Sequence, residues 1–175
     1  MSRPPGREAY DGARMEHEVH TRLELPLPVD AVLPFFAETA NLQRTTPPEL
    51  RFAILTPQSV EMRRGTLLEY RLGLFGVPFR WRTRIAAWDP PHGFVDVQLS
   101  GPYGRWEHTH LFVPNEEGTV IDDHVRYSRP LSPLGELAHP LVRRPLDRIF
   151  AYRQATVRAL LLDGWPSGHG RTPSS

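Results

Sequence analysis

Two histidines, His108 and His110, stand two positions apart in the run Trp106-Glu107-His108-Thr109-His110-Leu111-Phe112. In an extended strand side chains alternate between faces, so both imidazoles project from one face together with Trp106 and Phe112. The two large aromatics favour the interior, which sets a pair of groups that titrate near neutrality into an apolar wall. A second run, Ile121-Asp122-Asp123-His124-Val125-Arg126-Tyr127, has the same period of two. Its apolar members Ile121, Val125 and Tyr127 select the inner face and carry Asp123 inward with them. A buried carboxylate needs a partner, and His108 or His110 would serve. His108, His110 and Asp123 are therefore the candidate catalytic residues, with an imidazole as general acid or base toward a bound molecule.

The histidine pair supports other chemistry as well. It is half of a metal site if further donors come from neighbouring strands, with Asp123, Asp96 or Glu69 as the conceivable ones. Two ligands alone are weak evidence for an ion, so no metal and no cofactor is expected. The plainer reading stands ahead of both: the pair hydrogen-bonds cross-strand partners and polarises the wall of a cavity, where such groups fix a ligand's orientation. The sequence has no cysteine, which excludes disulfides, zinc thiolate sites and a thiol nucleophile together. No Gly-x-Ser-x-Gly elbow, phosphate-binding glycine loop or dinucleotide fingerprint occurs.

The elements that position these groups follow from periodicity and punctuation. Glu16 to Leu25 alternates Val19, Thr21, Leu23 and Leu25 with His20, Arg22 and Glu24, a strand with one wet face. Pro26-Leu27-Pro28 ends it, and Asp30 is the expected N-cap of a short helix over 31–38, with Pro34 tolerable only in the first turn. A second helical turn is expected over 40–44, broken by Thr45-Thr46-Pro47-Pro48. Strand-like runs follow at 52–56, 66–75, 77–88, 94–100, 105–113 and 119–128. Short separators rich in Gly, Pro, Asn and Asp make consecutive strands antiparallel neighbours. In 94–100 two phases compete: Val95, Val97 and Leu99 are the more apolar face, whereas Phe94, Asp96 and Gln98 would bring polar groups inward, and the sequence leaves the choice open.

From Pro133 the period lengthens to that of a helix. Leu134, Leu137, Leu141, Leu146, Ile149, Tyr152, Thr156 and Leu160 mark the expected apolar stripe. Pro140 and Pro145 break its first part, so the continuous helix is expected to start between them and to stop at Asp163-Gly164. The only large apolar surface available to that helix is the sheet. The expected organisation is one domain over 15–163 between disordered tails at 1–14 and 164–175.

Lys and Arg number 21 against 20 Asp and Glu, a formal charge of +1, so nothing in the balance invites nucleic acid or an anionic surface. No stretch reaches the roughly 18 apolar residues of a membrane span, and Met1 to Arg14 lacks a signal-peptide core. A soluble cytoplasmic protein without membrane insertion is the default expectation.

The order strand, two short helices, six strands and a long C-terminal helix resembles the helix-grip fold. The chain is similar to the START and birch-pollen-allergen-like superfamily, SRPBCC, and within it to a bacterial branch of polyketide cyclase/dehydrase-like, ligand-binding proteins. The residues that carry the likeness are Leu72-Gly73-Leu74-Phe75-Gly76-Val77-Pro78-Phe79-Arg80-Trp81-Arg82-Thr83, Gly101-Pro102-Tyr103 with Trp106-Glu107-His108-Thr109-His110, and Arg143-Arg144 leading to Ile149-Phe150-Ala151-Tyr152-Arg153. The resemblance implies an α+β fold in which a curved antiparallel sheet of about seven strands wraps a long C-terminal helix. It also implies a cavity between the two for a hydrophobic small molecule.

The residues expected to bind that molecule are Tyr70, Trp81, Gln98, Trp106, His108, His110, Phe112 and Tyr127 on the sheet, with Ile149, Tyr152 and Arg153 on the helix. Three functions fit this plan. The first is binding or carriage of a lipid, polyketide or aromatic metabolite. The second is a cyclase/dehydratase-like enzyme on such a molecule, using His108, His110 and Asp123. The third is a protein-interaction module whose groove takes a partner's apolar segment.

Overall fold

Val19, Leu23 and Leu25 are the buried members of the first strand, β1 (Glu16–Leu25), while Glu18, His20, Arg22 and Glu24 face solvent. This is the alternation that the sequence prescribes. The computed structural model describes residues 16–57, 60–74, 77–128 and 139–163. The tails expected at 1–14 and 164–175, and the stripe members Leu134 and Leu137, lie outside them.

After β1 come helices α1 (Val29–Ala37) and α2 (Thr39–Arg44), a 3-10 turn over Pro48–Leu50, and strands β2 (Ala53–Ile54), β3 (Leu67–Leu74), β4 (Val77–Asp89), β5 (Gly93–Ser100), β6 (Arg105–Asn115) and β7 (Gly118–Ser128). Helix α3 (His139–Asp163) closes the described chain. One seven-stranded sheet runs in the order β1-β7-β6-β5-β4-β3-β2, every pairing antiparallel. The architecture is the expected α+β helix-grip, with two short helices after the first strand.

Curvature has an identifiable source. Pairing of β4 with β5 slips twice, between Arg82 and Thr83 and between Ile85 and Ala87. A bulge adds one residue to one strand, bends it and increases its twist. The effect is visible in burial: Trp81, Thr83 and Ile85 point inward, the register slips at Ala86, and Trp88 then packs on the core in the new phase. β4 is thus bent on the side of the sheet away from β1.

Four local expectations are corrected. Helix α1 begins at Val29 with Pro28 as its N-cap, so Asp30 sits inside the first turn, where its charge faces the positive end of the helix dipole, and supplies no cap. Pro34 lies in the helix interior. Helix α3 starts at His139 and continues through Pro145, because docking of the residues beyond it outweighs the one backbone hydrogen bond that proline removes. The buried stripe of α3 is Leu146, Phe150 and Val157, with Leu161 packed beside it. Tyr152 is 37% exposed. The expected stripe drifted because two successive steps of three residues, 146 to 149 to 152, rotate about 120° off the face that steps of four and three preserve.

The helix divides the core. Val157 packs with Leu23, Leu25, Phe112 and Ile121 at one end, and Leu146 and Phe150 with Trp81, Trp106, Val125 and Tyr127 at the other. Gln154 Nε2 donates to the Arg22 carbonyl at 3.0 Å and Arg158 Nη2 to the Glu24 carbonyl at 2.7 Å, tying α3 to β1. Among the described residues no helix is long and apolar enough to cross a membrane.

Gly93 opens β5 at a position where a Cβ would overlap the His110 carbonyl oxygen of β6. Backbone cannot swing away as a side-chain tip can. Gly93→Ala should destabilise the fold by about 1–3 kcal/mol, whereas Gly73→Ala, whose new Cβ meets only the Leu50 oxygen at 3.6 Å, should stay within about 0.5 kcal/mol of wild type. Thermal or urea unfolding of the two variants measures the difference, and equal losses would contradict it.

Candidate functional site

Register brings the polar residues together. In the β6–β7 ladder His110 lies opposite Asp123, and in the β5–β6 ladder Asp96 lies opposite His108 and Phe94 opposite His110. Directly opposed residues share a face. Because Trp106, His108, His110 and Phe112 are all buried, the phase of β5 left open by the sequence is fixed: Phe94 and Asp96 go inward, and Leu99 is 47% exposed. The more apolar face of that strand lost because β6 supplies partners for a carboxylate, which removes most of the cost of burying one.

The result is a box of four side chains. His108 and His110 lie with ring centroids 3.8 Å apart, between two carboxylates. Asp123 Oδ1 is 3.2 Å from His108 Nε2 and 2.6 Å from His110 Nδ1. Asp96 Oδ2 is 3.8 Å from His108 Nδ1 and 3.4 Å from His110 Nε2. Each imidazole thus turns one nitrogen to Asp123 and the other to Asp96. The two histidines and Asp123 are at most 5% exposed, and aromatic rings enclose them: Phe94 stacks on His110 at 4.2 Å and Phe150 from α3 meets His108 edge-on at 5.5 Å.

Such burial divides the protonation states. Desolvation, reinforced by the charge of His110, pulls His108 down to about 4, against the opposing pull of Asp123 and Asp96. Desolvation also lowers His110, but the Asp123 and Asp96 carboxylates outweigh it and hold that ring above its ordinary value. Burial raises Asp123, yet its two histidine partners keep it well below the usual carboxylate range. The two imidazoles are thus pushed in opposite directions, His108 toward its neutral form and His110 toward its protonated one, a division suited to acid–base work.

The box forms one wall of a cavity of about 170 Å³ between the sheet and α3, partly open to solvent. Tyr70, Leu72, Trp81 and Thr83 continue the sheet wall, Tyr103 and Trp106 close one corner, and Leu146, Ile149, Phe150 and Arg153 come from α3. Phe36, Thr39 and Asn41 of the first two helices complete it. Its polar features are few. Tyr70 Oη is 3.0 Å from Thr83 Oγ1, and burial followed by the nearby Asp96 charge pushes this phenol above its ordinary range. The Arg153 guanidinium lies 5.6 Å from the centre of the Phe150 ring. Trp81 Nε1 and Thr39 Oγ1 have no protein partner among the described residues.

Of the residues expected to bind ligand, Tyr70, Trp81, Trp106, His108, His110, Ile149 and Arg153 border this cavity. Four do not. Gln98 spends its amide on the Tyr103 main chain, donating to its carbonyl at 2.7 Å, and so holds the 101–104 turn. Phe112 and Tyr127 are packed into the two halves of the core, and Tyr152 follows the misplaced helical stripe to the surface. Asp123 lies behind the histidines and touches the cavity only through them. Sequence reasoning missed Phe36, Thr83, Tyr103 and Phe150 as wall residues. Thr83 shares the strand face of Trp81 and Phe150 stands four residues after Leu146 on one helical face, whereas no local signal marks Phe36 on α1 or Tyr103 in the 101–104 turn.

No family model matches the chain, and no curated protein matches it. Solved structures do. A truncated norcoclaurine synthase from Thalictrum flavum is similar at a TM-score of 0.65 over 89% of this chain and 99% of that one, with 16% identity. The protein TTHA0849 from Thermus thermophilus gives 0.60 over 87% and 100%, with 19% identity, and Ara h 8.0201 gives 0.57 over 82% and 98%, with 15%. At such identities the likeness is one of fold. This chain shares the helix-grip fold of these proteins.

Removing one member of a buried charge cluster leaves the others uncompensated. Asp123→Ala should therefore cost about 3–5 kcal/mol of folding stability. Arg105→Ala removes an ion pair with Glu16 in which both side chains are about half exposed, and should cost about 0–1 kcal/mol. Denaturant titration at neutral pH compares the two.

Proposed function

We propose that this protein binds or carries a small, largely apolar molecule, such as a lipid, polyketide or aromatic metabolite, in the cavity between the sheet and α3. One observation carries the reading: aromatic walls surround a space that side chains leave unfilled, and a few polar groups converge on one side of it. That combination is the usual character of a small-molecule site. The size bounds the occupant. A volume of about 170 Å³ exceeds the ~150 Å³ of an engineered cavity that takes benzene and falls short of the ~300 Å³ of drug-sized sites. The buried portion of the ligand is one or two rings or a short chain, and anything longer projects through the opening.

The fold supports the same class of ligand. A norcoclaurine synthase of this fold, 17% identical to the chain, was solved with dopamine and hydroxybenzaldehyde, so that protein holds aromatic molecules on a scaffold of the same kind. A partly enclosed cavity of this size suits a small molecule better than a partner's apolar segment.

A cyclase/dehydratase-like enzyme is the second reading, favoured by two imidazoles on the cavity wall with Asp123 behind them. His110 would exchange a proton with the ligand and Asp123 would orient it. Turnover separates the readings, because a catalyst loses rate in His110→Ala whereas a carrier loses only affinity.

Native mass spectrometry of protein purified from its own host should reveal a retained small molecule. Binding of a naphthalene-based fluorescent probe should weaken at least tenfold in Ile149→Trp, which fills the space from α3, and stay unchanged in Val113→Ala on the exposed sheet face. A probe that binds Ile149→Trp as tightly as wild type would sink the cavity reading.

A further inference from the structure

The box of Asp96, His108, His110 and Asp123 has a property that ligand binding does not use. The two carboxylates bring two negative charges into a wall of aromatic rings, the two imidazoles between them are the only possible positive groups in contact with either, and no lysine or arginine stands within ion-pair distance among the described residues. Protonating both rings would set two positive charges on centroids 3.8 Å apart. A doubly charged cation meets the same requirement with both rings neutral, and imidazole and carboxylate are ordinary donors for one.

Geometry agrees. One donor atom from each of Asp96, His108 and His110 lies within 4.8 Å of the others, and the Asp96 Oδ2 separations from the facing imidazole nitrogens are 3.4 and 3.8 Å. A tetrahedral ion with bonds of about 2.1 Å holds its donors about 3.4 Å apart. All three residues border the cavity, so a fourth coordination position faces the ligand space. Asp123 does not border it, and faces the remaining nitrogen of each ring, His108 Nε2 and His110 Nδ1. A carboxylate behind a ligating histidine fixes its tautomer and raises its basicity; Asp123 is hydrogen-bonded to His108 Nε2 at 3.2 Å and stands in ion-pair contact with His110 Nδ1.

From this we infer that Asp96, His108 and His110 form a binding site for a divalent first-row transition metal such as zinc, with Asp123 as the positioning carboxylate and one coordination position open to the cavity. The inference goes beyond the ligand-binding reading and does not rest on it. Filling the cavity from α3 tests the one, and changing the donors tests the other.

The test uses the full chain, dialysed against chelator and then titrated with Zn²⁺ by calorimetry and with Co²⁺ by visible absorption. Wild type should take up one equivalent with a Kd at or below micromolar, show the intense visible bands of low-coordinate cobalt, and melt higher with zinc than without it. His110→Ala and Asp96→Asn should each weaken binding at least 100-fold and abolish the cobalt bands. Asp123→Asn should weaken binding about 10–100-fold and keep the bands. His20→Ala, which alters an exposed His20–Asp122 pair, should change nothing. Asp96 is the least buried member, and a near-ultraviolet circular dichroism spectrum matching wild type shows that Asp96→Asn has folded. Absence of stoichiometric binding to wild type would overturn the inference. So would one equivalent that survives both Asp96→Asn and His110→Ala.

Discussion

Two carboxylates held against two imidazoles inside an aromatic wall are the constraint on which the rest of this structure depends. Desolvating Asp123 alone would cost several kcal/mol, and the same holds for a lone buried imidazolium. The cost is offset only when β5, β6 and β7 hold one register, because a slip of one residue sends the histidines or their partners to solvent. Specification by polar pairing is strongest where apolar pattern is weakest. On β5 the hydrophobic count favoured the opposite face, and the opposed pairs Asp96–His108 and Phe94–His110 decided the matter.

Around that fixed centre the sheet is free to bend. The slips at Arg82/Thr83 and Ile85/Ala87 curve it on the β4–β5 side of the box, away from the β1–β7 edge where α3 is hydrogen-bonded. The helix therefore touches the sheet firmly at one margin and stands off from it at the other. Leu146 and Phe150 close the far end of the gap, and the space left between is the cavity. Hollowness here follows from where the bulges fall rather than from any lack of large side chains.

The fold was largely legible in the residues because its signals are local. Alternation set the strands, glycine and proline set the turns, and a change of period marked the last helix. The failures were also physical. Asp30 reads as a cap by composition, yet the chain enters the helix earlier, through Pro28. Pro145 reads as a break, yet packing of Leu146 and Phe150 carries the helix across it. At the site, His108, His110 and Asp123 could be singled out because each lies in a strand whose apolar neighbours choose a face. Asp96 could not be placed, since its strand carries two nearly equivalent faces and the deciding partners lie on another strand.

The margin of the sheet shows a further economy. β1 is a ten-residue edge strand, long enough to template pairing with another chain. Two of its carbonyls, those of Arg22 and Glu24, are already occupied by side chains reaching over from α3. The element that roofs the cavity is thus also a guard against intermolecular strand addition. Any motion that lifted the whole helix off β1 would free those two carbonyls and unmask a sticky border, so the contact that holds the helix down also keeps the strand edge covered.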